Sequence, residues 1–153
     1  MSDIQTSTAN VSVMQRRMAT QQEIEQHLNK LIRDMRGLVD DTNIAKSQME
    51  KHQMSNLLAV ALDTPSVEQL KVYIQYQVGR DTGGKSWRFA NFGETLAARL
   101  HGLETEAKGI VQQVNKDLRI TKKPADKDVE AVWIDLARHY VGQLSRYFYY
   151  RKG

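Results

Sequence analysis

The chain contains no cysteine, which excludes disulfide bonds and metal sites built from thiolates. An absence of cysteine also fits a reducing compartment. No apolar run approaches the roughly 18 residues that a membrane-spanning helix needs, and the polar first ten residues lack the apolar core of a secretion signal. We therefore expect a cytoplasmic protein that is not anchored in a membrane.

A chain of 153 residues has the size of about one domain and is long enough to bury a real hydrophobic core. Residues 1–17 are rich in Ser, Thr, Gln and Asn, a composition that predicts a flexible N-terminal segment. Residues 18–153 carry regular apolar patterns and are predicted to form a single helical bundle domain.

The charge of the chain is mildly basic and uneven. The net charge is +4 and the isoelectric point is near 9.3. Up to Asp63 there are 7 Lys/Arg against 8 Asp/Glu, so that 15 of the 22 basic and 10 of the 18 acidic residues follow it. Such an excess favours an anionic partner, most often nucleic acid, although a charge this small also serves solubility alone.

The first regular pattern is a heptad seam over residues 24–49, in which apolar positions recur at alternating steps of four and three. The seam consists of Ile24, Leu28, Leu31, Met35, Leu38, Thr42, Ala45 and Met49. It predicts a helix from about Thr20, which either continues to about Leu62 or breaks near Thr42-Asn43 or His52-Gln53. The irregular composition of the seam favours packing inside a bundle. Docking of a partner helix, in a structural or adaptor protein, is the alternative.

Three further helices follow in the pattern. Thr64 and Pro65 are typical of a helix start, and the helix predicted from Val67 would end at Gly79; a strand over residues 72–78 is a weaker alternative. A second long helix is predicted over residues 89–118, and the last helix opens at Asp126 or Asp128. The last helix has the cleanest apolar stripe, formed by Val129, Val132, Trp133, Leu136, Ala137, Tyr140, Val141, Leu144, Tyr147 and Phe148. We expect an all-α fold: a small bundle of four or five helices with a long N-terminal helix or helix pair.

The segment Gly79–Ser86 matches G-x-x-x-x-G-K-[ST], the phosphate-binding loop of many nucleotide hydrolases. A working loop of this kind joins a buried parallel strand to the start of a helix, and an acidic residue on another strand holds Mg²⁺. The sequence predicts helices around the segment and no second apolar strand ending in Asp. A nucleotide-binding protein is therefore only a remote alternative, and an interhelical loop made flexible by its glycines is favoured.

Other catalytic signals are weak. The four histidines are scattered, and no two of them have the i, i+4 spacing of paired metal ligands on a helix. The acidic pairs Asp40-Asp41 and Glu104/Glu106 do not share a helical face, which makes them poor acid–base pairs. We expect a protein without enzymatic activity, metal ion or cofactor.

Basic residues occur beside aromatic ones in two places. Lys71, Arg80, Lys85, Trp87 and Arg88 surround the glycine-containing loop. Arg138, Arg146, Arg151 and Lys152 lie off the apolar stripe of the last helix, with Tyr149 and Tyr150 beside them. Cationic side chains neutralise phosphates and aromatic rings stack on unpaired bases, so this composition favours RNA binding. Packing of the aromatic residues and a solvated face for the arginines are the alternatives.

Residues 56–61, residues 66–80 and the ending Leu144–Tyr150 resemble the small helical subunit of type III CRISPR effector complexes, over about the last two thirds of the chain. The resemblance implies an antiviral ribonucleoprotein in which several copies of an all-helical, non-enzymatic subunit stack beside other subunits and line the guide–target RNA. The RNA-facing positions that it implies here are Lys71, Arg80, Lys85, Arg88 and Arg146. The long first helix departs from the shorter members of that family.

Overall fold

The predicted all-α bundle with a long N-terminal helix is confirmed by a computed structural model, which describes residues 11–153. The part of the flexible N-terminal prediction that concerns residues 1–10 lies outside this range. Within residues 11–153, five α-helices follow in chain order: α1 (Val13–Thr42), α2 (Lys51–Asp63), α3 (Val67–Arg80), α4 (Phe92–Asp117) and α5 (Asp126–Lys152). Short 3₁₀ turns lie between α1 and α2 (Ile44–Lys46) and before α4 (Phe89–Asn91).

Helix α1 begins seven residues earlier than the start predicted at about Thr20, because Ser12 caps it. The Ser12 hydroxyl accepts a hydrogen bond from the backbone N–H of Gln15 at 3.0 Å, and the Gln15 side chain accepts from the Ser12 backbone at 2.9 Å. The helix ends at Thr42, since Asn43 adopts the left-handed conformation with φ of 59°. The break therefore lies at the first of the two predicted points, Thr42-Asn43. Residues 13–17, which belong to the predicted flexible N-terminal segment, are helical.

The heptad seam packs inside the chain. Ile24, Leu31, Met35 and Leu38 are at most 5 % exposed, because α1 lies against α4 and α5. Helix α5 contacts all four other helices and buries nine of the ten residues of its predicted stripe; Tyr147 remains half-buried. The two long amphipathic patterns of the sequence thus meet in one core and cover each other.

Two predicted helix boundaries move. Gly79 is inside α3, which continues to Arg80 and ends where the N–H of Asp81 bonds to the carbonyls of Gln77 and Val78. The helix predicted from residue 89 begins at Phe92, because the preceding Ala90 and Asn91 have positive φ values of 48° and 60°. The strand alternative for residues 72–78 is wrong, since all of them are helical.

Within residues 11–153, no helix has the length and apolar character that crossing a bilayer requires. The same residues contain no group of three or more His, Asp or Glu side chains arranged to hold a metal ion.

Candidate nucleic-acid interface

The loop between α3 and the turn before α4, residues 81–88, is anchored by the carboxylate of Asp81. This carboxylate accepts hydrogen bonds from the backbone N–H groups of Lys85, Ser86 and Arg88 at 3.3, 3.0 and 2.8 Å. The loop is also tied to the α1–α2 connection, where Gln48 donates its N–H to the Lys85 carbonyl at 2.9 Å. The segment lies between two helices, as the sequence predicted, and several of its backbone groups have partners within the fold.

The charge of Asp81 is part of this anchor. Partial burial of the carboxyl works to raise its pKa, but the hydrogen bonds from the N–H groups of Arg88, Ser86 and Lys85 outweigh that effect. The pKa of Asp81 is lowered as a result, since the donors stabilise the ionised form.

The Gly79–Ser86 segment does not form a phosphate cradle. Its Lys85 and Ser86 N–H groups, which such a loop would offer to a phosphate, already bind the Asp81 carboxylate. The segment follows the C-terminal end of α3, where the helix dipole disfavours an anion. The next α-helix along the chain begins only at Phe92, so the segment does not lead directly into a helix N-terminus as a phosphate loop does.

Three of the five predicted RNA-facing residues, Arg80, Lys85 and Arg88, lie together around this loop. The Arg80 guanidinium lies over the ring of Tyr76, 5.5 Å from its centroid. Arg88 donates from Nε to the carbonyl of Val78 at 2.8 Å, which helps to close the end of α3. All three side chains are exposed, and Lys85 extends from the anchored backbone.

Lys71 is separated from these residues. It lies nine positions before Arg80 on α3, a rise of roughly 13 Å along the helix. Its ammonium donates to Glu68 at 2.9 Å and contacts Nδ1 of His101 at 3.0 Å. The hydrogen bond from Lys71 lowers the pKa of Glu68, and only 20 % of the Lys71 side chain is exposed. These contacts connect α3 to α4 and leave Lys71 poorly placed to meet a phosphate.

The arginines of α5 have different roles. Arg138 donates from Nε to the carbonyl of Ala61 at 2.9 Å and from Nη2 to that of Thr64 at 3.0 Å. It therefore binds the C-terminal end of α2, and the predicted face shared with Arg146 is not a continuous row of available cations. Arg146 is exposed and lines grooves on both sides of α5, one beside Leu58 and Leu62 and one beside α1.

The groove between α1 and α5 combines cations with aromatic rings. It has a volume of about 420 Å³ and is lined by Ile32, Met35, Arg36, Gln143, Arg146, Tyr147 and Tyr150. The Arg36 guanidinium lies 5.6 Å from the centroid of the Tyr147 ring, and the rings of Tyr147 and Tyr150 are 6.1 Å apart. Tyr150 is 76 % exposed. We refer to this site as the α1–α5 groove.

Asp40 orders one end of the α1–α5 groove. The Tyr147 hydroxyl donates to Asp40 at 2.9 Å, and Nε of Arg151 lies 3.4 Å from the same carboxylate. Desolvation and the hydrogen bond to Asp40 raise the pKa of Tyr147, so its phenol stays neutral at physiological pH. Arg36 and Arg146 then give the groove a positive charge that Asp40, already facing Arg151, does not cancel.

Arg36 is the member of the groove that the sequence did not indicate. It is separated from Tyr147 by 110 intervening residues, and only the packing of α1 on α5 brings the two together. The sequence did place Tyr149, Tyr150 and Arg151 beside Arg146 as a basic and aromatic ending. No signal in the α1 pattern distinguishes Arg36 from the nearby Arg33.

No known protein family, curated protein or solved structure matches this chain.

Proposed function

We propose that this protein is a non-enzymatic, RNA-binding helical subunit of a ribonucleoprotein, which binds an unpaired strand in the α1–α5 groove. The observation that supports the proposal is the pairing of Arg36 and Arg146 with the exposed ring of Tyr150 and the partly exposed ring of Tyr147. Arginines neutralise backbone phosphates, and tyrosine faces stack on bases without regard to sequence. The resemblance to the small subunit of type III CRISPR effector complexes supports the same function.

The exposed cations at the 81–88 loop form a second part of the proposed interface. Arg80, Lys85 and Arg88 extend from an anchored backbone, so binding would order only their side chains and not the loop itself. Lys71 contributes to α3–α4 packing and is left out of the proposed interface. One molecule would contact only a short length of the strand. Other subunits of the complex, or further copies of this chain, would extend that length.

RNA binding is measured by fluorescence anisotropy with a labelled, unstructured oligonucleotide over a range of salt concentrations. We expect Arg36→Ala/Arg146→Ala to weaken binding and to reduce the slope of log K against log salt by roughly 0.7 for each lost phosphate contact. Tyr150→Ala should weaken binding by about 1–3 kcal/mol without changing that slope, since it removes stacking and not charge.

The matched control is Lys108→Ala/Lys127→Ala, which also removes two positive charges, at exposed positions that line neither groove of α5. Equal effects of the two double variants would mean that net charge alone drives binding and would contradict the proposal. A triple variant, Arg80→Ala/Lys85→Ala/Arg88→Ala, tests the loop separately. Binding equal to wild type in that variant would restrict the interface to the α1–α5 groove.

A further inference from the structure

A second cavity, of about 310 Å³, lies between α2, α3 and the 81–88 loop. This volume is at the lower end of the range of small-molecule sites, roughly 300–1,000 Å³. Its nine lining residues are polar or aromatic and include no aliphatic side chain. A cavity of this size and polarity suits a small ligand that forms hydrogen bonds, and it does not suit an apolar partner helix.

Three carboxamide side chains line the cavity: Gln53 and Asn56 from α2, and Gln77 from α3. Gln53 uses its Oε1 to accept the N–H of Glu50 at 2.8 Å, which leaves its amide NH₂ as a donor. Within residues 11–153, the side chains of Asn56 and Gln77 have no hydrogen-bond partner and can present both a donor and an acceptor. Carboxamides of this kind pair with the edges of nucleobases, and bidentate pairing with adenine is the best known case.

Trp87 is a buried residue at the wall of the cavity. The residue is 2 % exposed, and its indole Nε1 has no hydrogen-bond partner among residues 11–153. Because Trp87 lines the cavity, a ligand that enters it would change the surroundings of the indole, and the indole N–H signal can report this change.

The electrostatics of the cavity favour a ligand whose inserted part is neutral, with any negative charge placed at Arg80. The first turn of α2, with Gln53, and the last turns of α3, with Gln77, both line it. Helix ends of opposite dipole therefore meet there. Arg80 is the lining cation and Asp81 the lining anion, and both oxygens of Asp81 already accept backbone N–H groups. A ligand ammonium would find no free carboxylate among the described lining residues, which argues against an amino acid.

We propose that the α2–α3 cavity binds one unpaired nucleobase, with Asn56 and Gln77 on its edge and Arg80 beside the attached phosphate. Tyr73 provides an aromatic wall, in keeping with the way proteins hold splayed-out RNA bases. The inference extends the proposed RNA binding to a defined nucleotide. A free mononucleotide tests it without any contribution from the α1–α5 groove.

The test uses the two indole N–H signals in ¹⁵N–¹H correlation spectra of the whole chain. Trp133 is the internal control, because its Nε1 already donates to the carbonyl of Leu100 at 2.8 Å. Each of the four nucleoside 5′-monophosphates and a short unstructured RNA are titrated separately. We expect the Trp87 signal to move and the Trp133 signal to stay, with a dissociation constant on the order of millimolar for a free mononucleotide.

Asn56→Leu and Gln77→Leu should each weaken this response roughly tenfold. Gln75→Leu, the same change at an exposed position of α3 that does not line the cavity, should leave it unchanged. If only the RNA moves the Trp87 signal, and both variants abolish that shift, the cavity binds a base that has to be part of a strand. This outcome also supports the inference. The absence of a Trp87 shift with every ligand, or a shift that both variants retain, overturns the inference. RNA binding in the anisotropy assay without a Trp87 response would overturn it and leave the proposed function standing.

Discussion

At the scale of single residues, the neighbourhood of the 81–88 loop depends on Asp81 and Gly93. Asp81 collects three backbone N–H groups, as described above, and Gly93 donates its own N–H to the carbonyl of Trp87 at 2.8 Å. A Cβ at Gly93 would clash with Cγ2 of Val78 and would lie 2.9 Å from the Trp87 carbonyl oxygen. The loop therefore depends on the Asp81 carboxylate, and the start of α4 leaves little room for a side chain at position 93.

Replacement of Asp81 by Asn is expected to lower the free energy of unfolding by about 1–3 kcal/mol. Asn keeps one acceptor oxygen, but its NH₂ group faces backbone donors and cannot accept from them. Urea unfolding of the two proteins at pH 7, followed by circular dichroism, measures the difference. Unchanged stability would mean that the three hydrogen bonds of Asp81 do not hold the loop.

The Asp81 contribution is also expected to depend on pH. Its pKa is lowered in the folded protein, so the stabilisation is fully present above the unfolded pKa, near pH 4. It is lost as the pH falls through the lower folded value. The difference in unfolding free energy between wild type and Asp81→Asn should therefore shrink as the pH falls below about 4. A constant difference over that range would contradict an ionic anchor.

Gly93→Ala is expected to destabilise the protein by roughly 1–3 kcal/mol through overpacking, although alanine is the better helix former. Gly102→Ala is the matched control on α4, because a Cβ there would meet nothing within 4 Å. The control should gain about 1 kcal/mol from helix propensity alone. Thermal unfolding of both variants measures the contrast, and a gain in both would show that Val78 and the Trp87 backbone can yield.

At the scale of helices, α5 is both the centre of the bundle and one wall of each groove. Its buried stripe contacts the other helices, while Arg138 and Arg146, eight positions apart, serve different purposes. Arg138 binds the two carbonyls at the end of α2, and Arg146 stays exposed in the grooves. The two arginines have the same position relative to the stripe, but only Arg138 has the end of α2 as a hydrogen-bond partner.

Arg138→Ala is expected to lower the free energy of unfolding by about 1.5–3 kcal/mol, because two charge-assisted hydrogen bonds to α2 are lost. Arg138→Lys should recover little of this, since an ammonium cannot reproduce the forked geometry of the guanidinium. Arg146→Ala should change stability by less than about 0.5 kcal/mol while weakening RNA binding. Denaturant titration and anisotropy on the same samples separate the two effects. A stable Arg138→Ala would contradict the role given to Arg138.

At the scale of the whole molecule, the heptad seam decides between a bundle core and a docking surface. Its residues Leu31, Met35 and Leu38 are buried against the chain's own helices. Docking of a partner through residues 24–49 would require α1 to leave the bundle and expose this core. The large apolar surface that a coiled-coil dimer would need is therefore already used within one chain.

Leu38→Asp is expected to cost more than about 4 kcal/mol, because a charge replaces a core side chain that is 1 % exposed. That loss is a large part of the roughly 5–15 kcal/mol of a typical domain, so the variant should be largely unfolded. Leu62→Asp, at a 60 % exposed position, is the control and should remain folded. Circular dichroism and sedimentation measure both. A folded Leu38→Asp variant that differs only in its oligomeric state would favour a docking seam.

The candidate site was partly accessible to prediction. Arg80, Lys85 and Arg88 are close in sequence, so their common location follows from the chain itself. The contacts of Lys71 with His101 and of Arg138 with the carbonyls at the end of α2 were not predictable, because these partners lie in distant segments of the chain. Arg36 and the cavity beside Trp87 had no sequence signal, since each needs two or three helices in a particular register.

The sequence by itself determined the helices, because the apolar periodicity, the turn residues between segments and the acidic start of α5 act within a few residues of chain. It also determined which face of each long helix would be buried. Only the tertiary structure decided that N–H groups of the Gly79–Ser86 segment donate to the Asp81 carboxylate, and that α1 places Arg36 beside the tyrosines of α5. These outcomes depend on how helices pack, and the packing energy is shared among many side chains that no local pattern brings together.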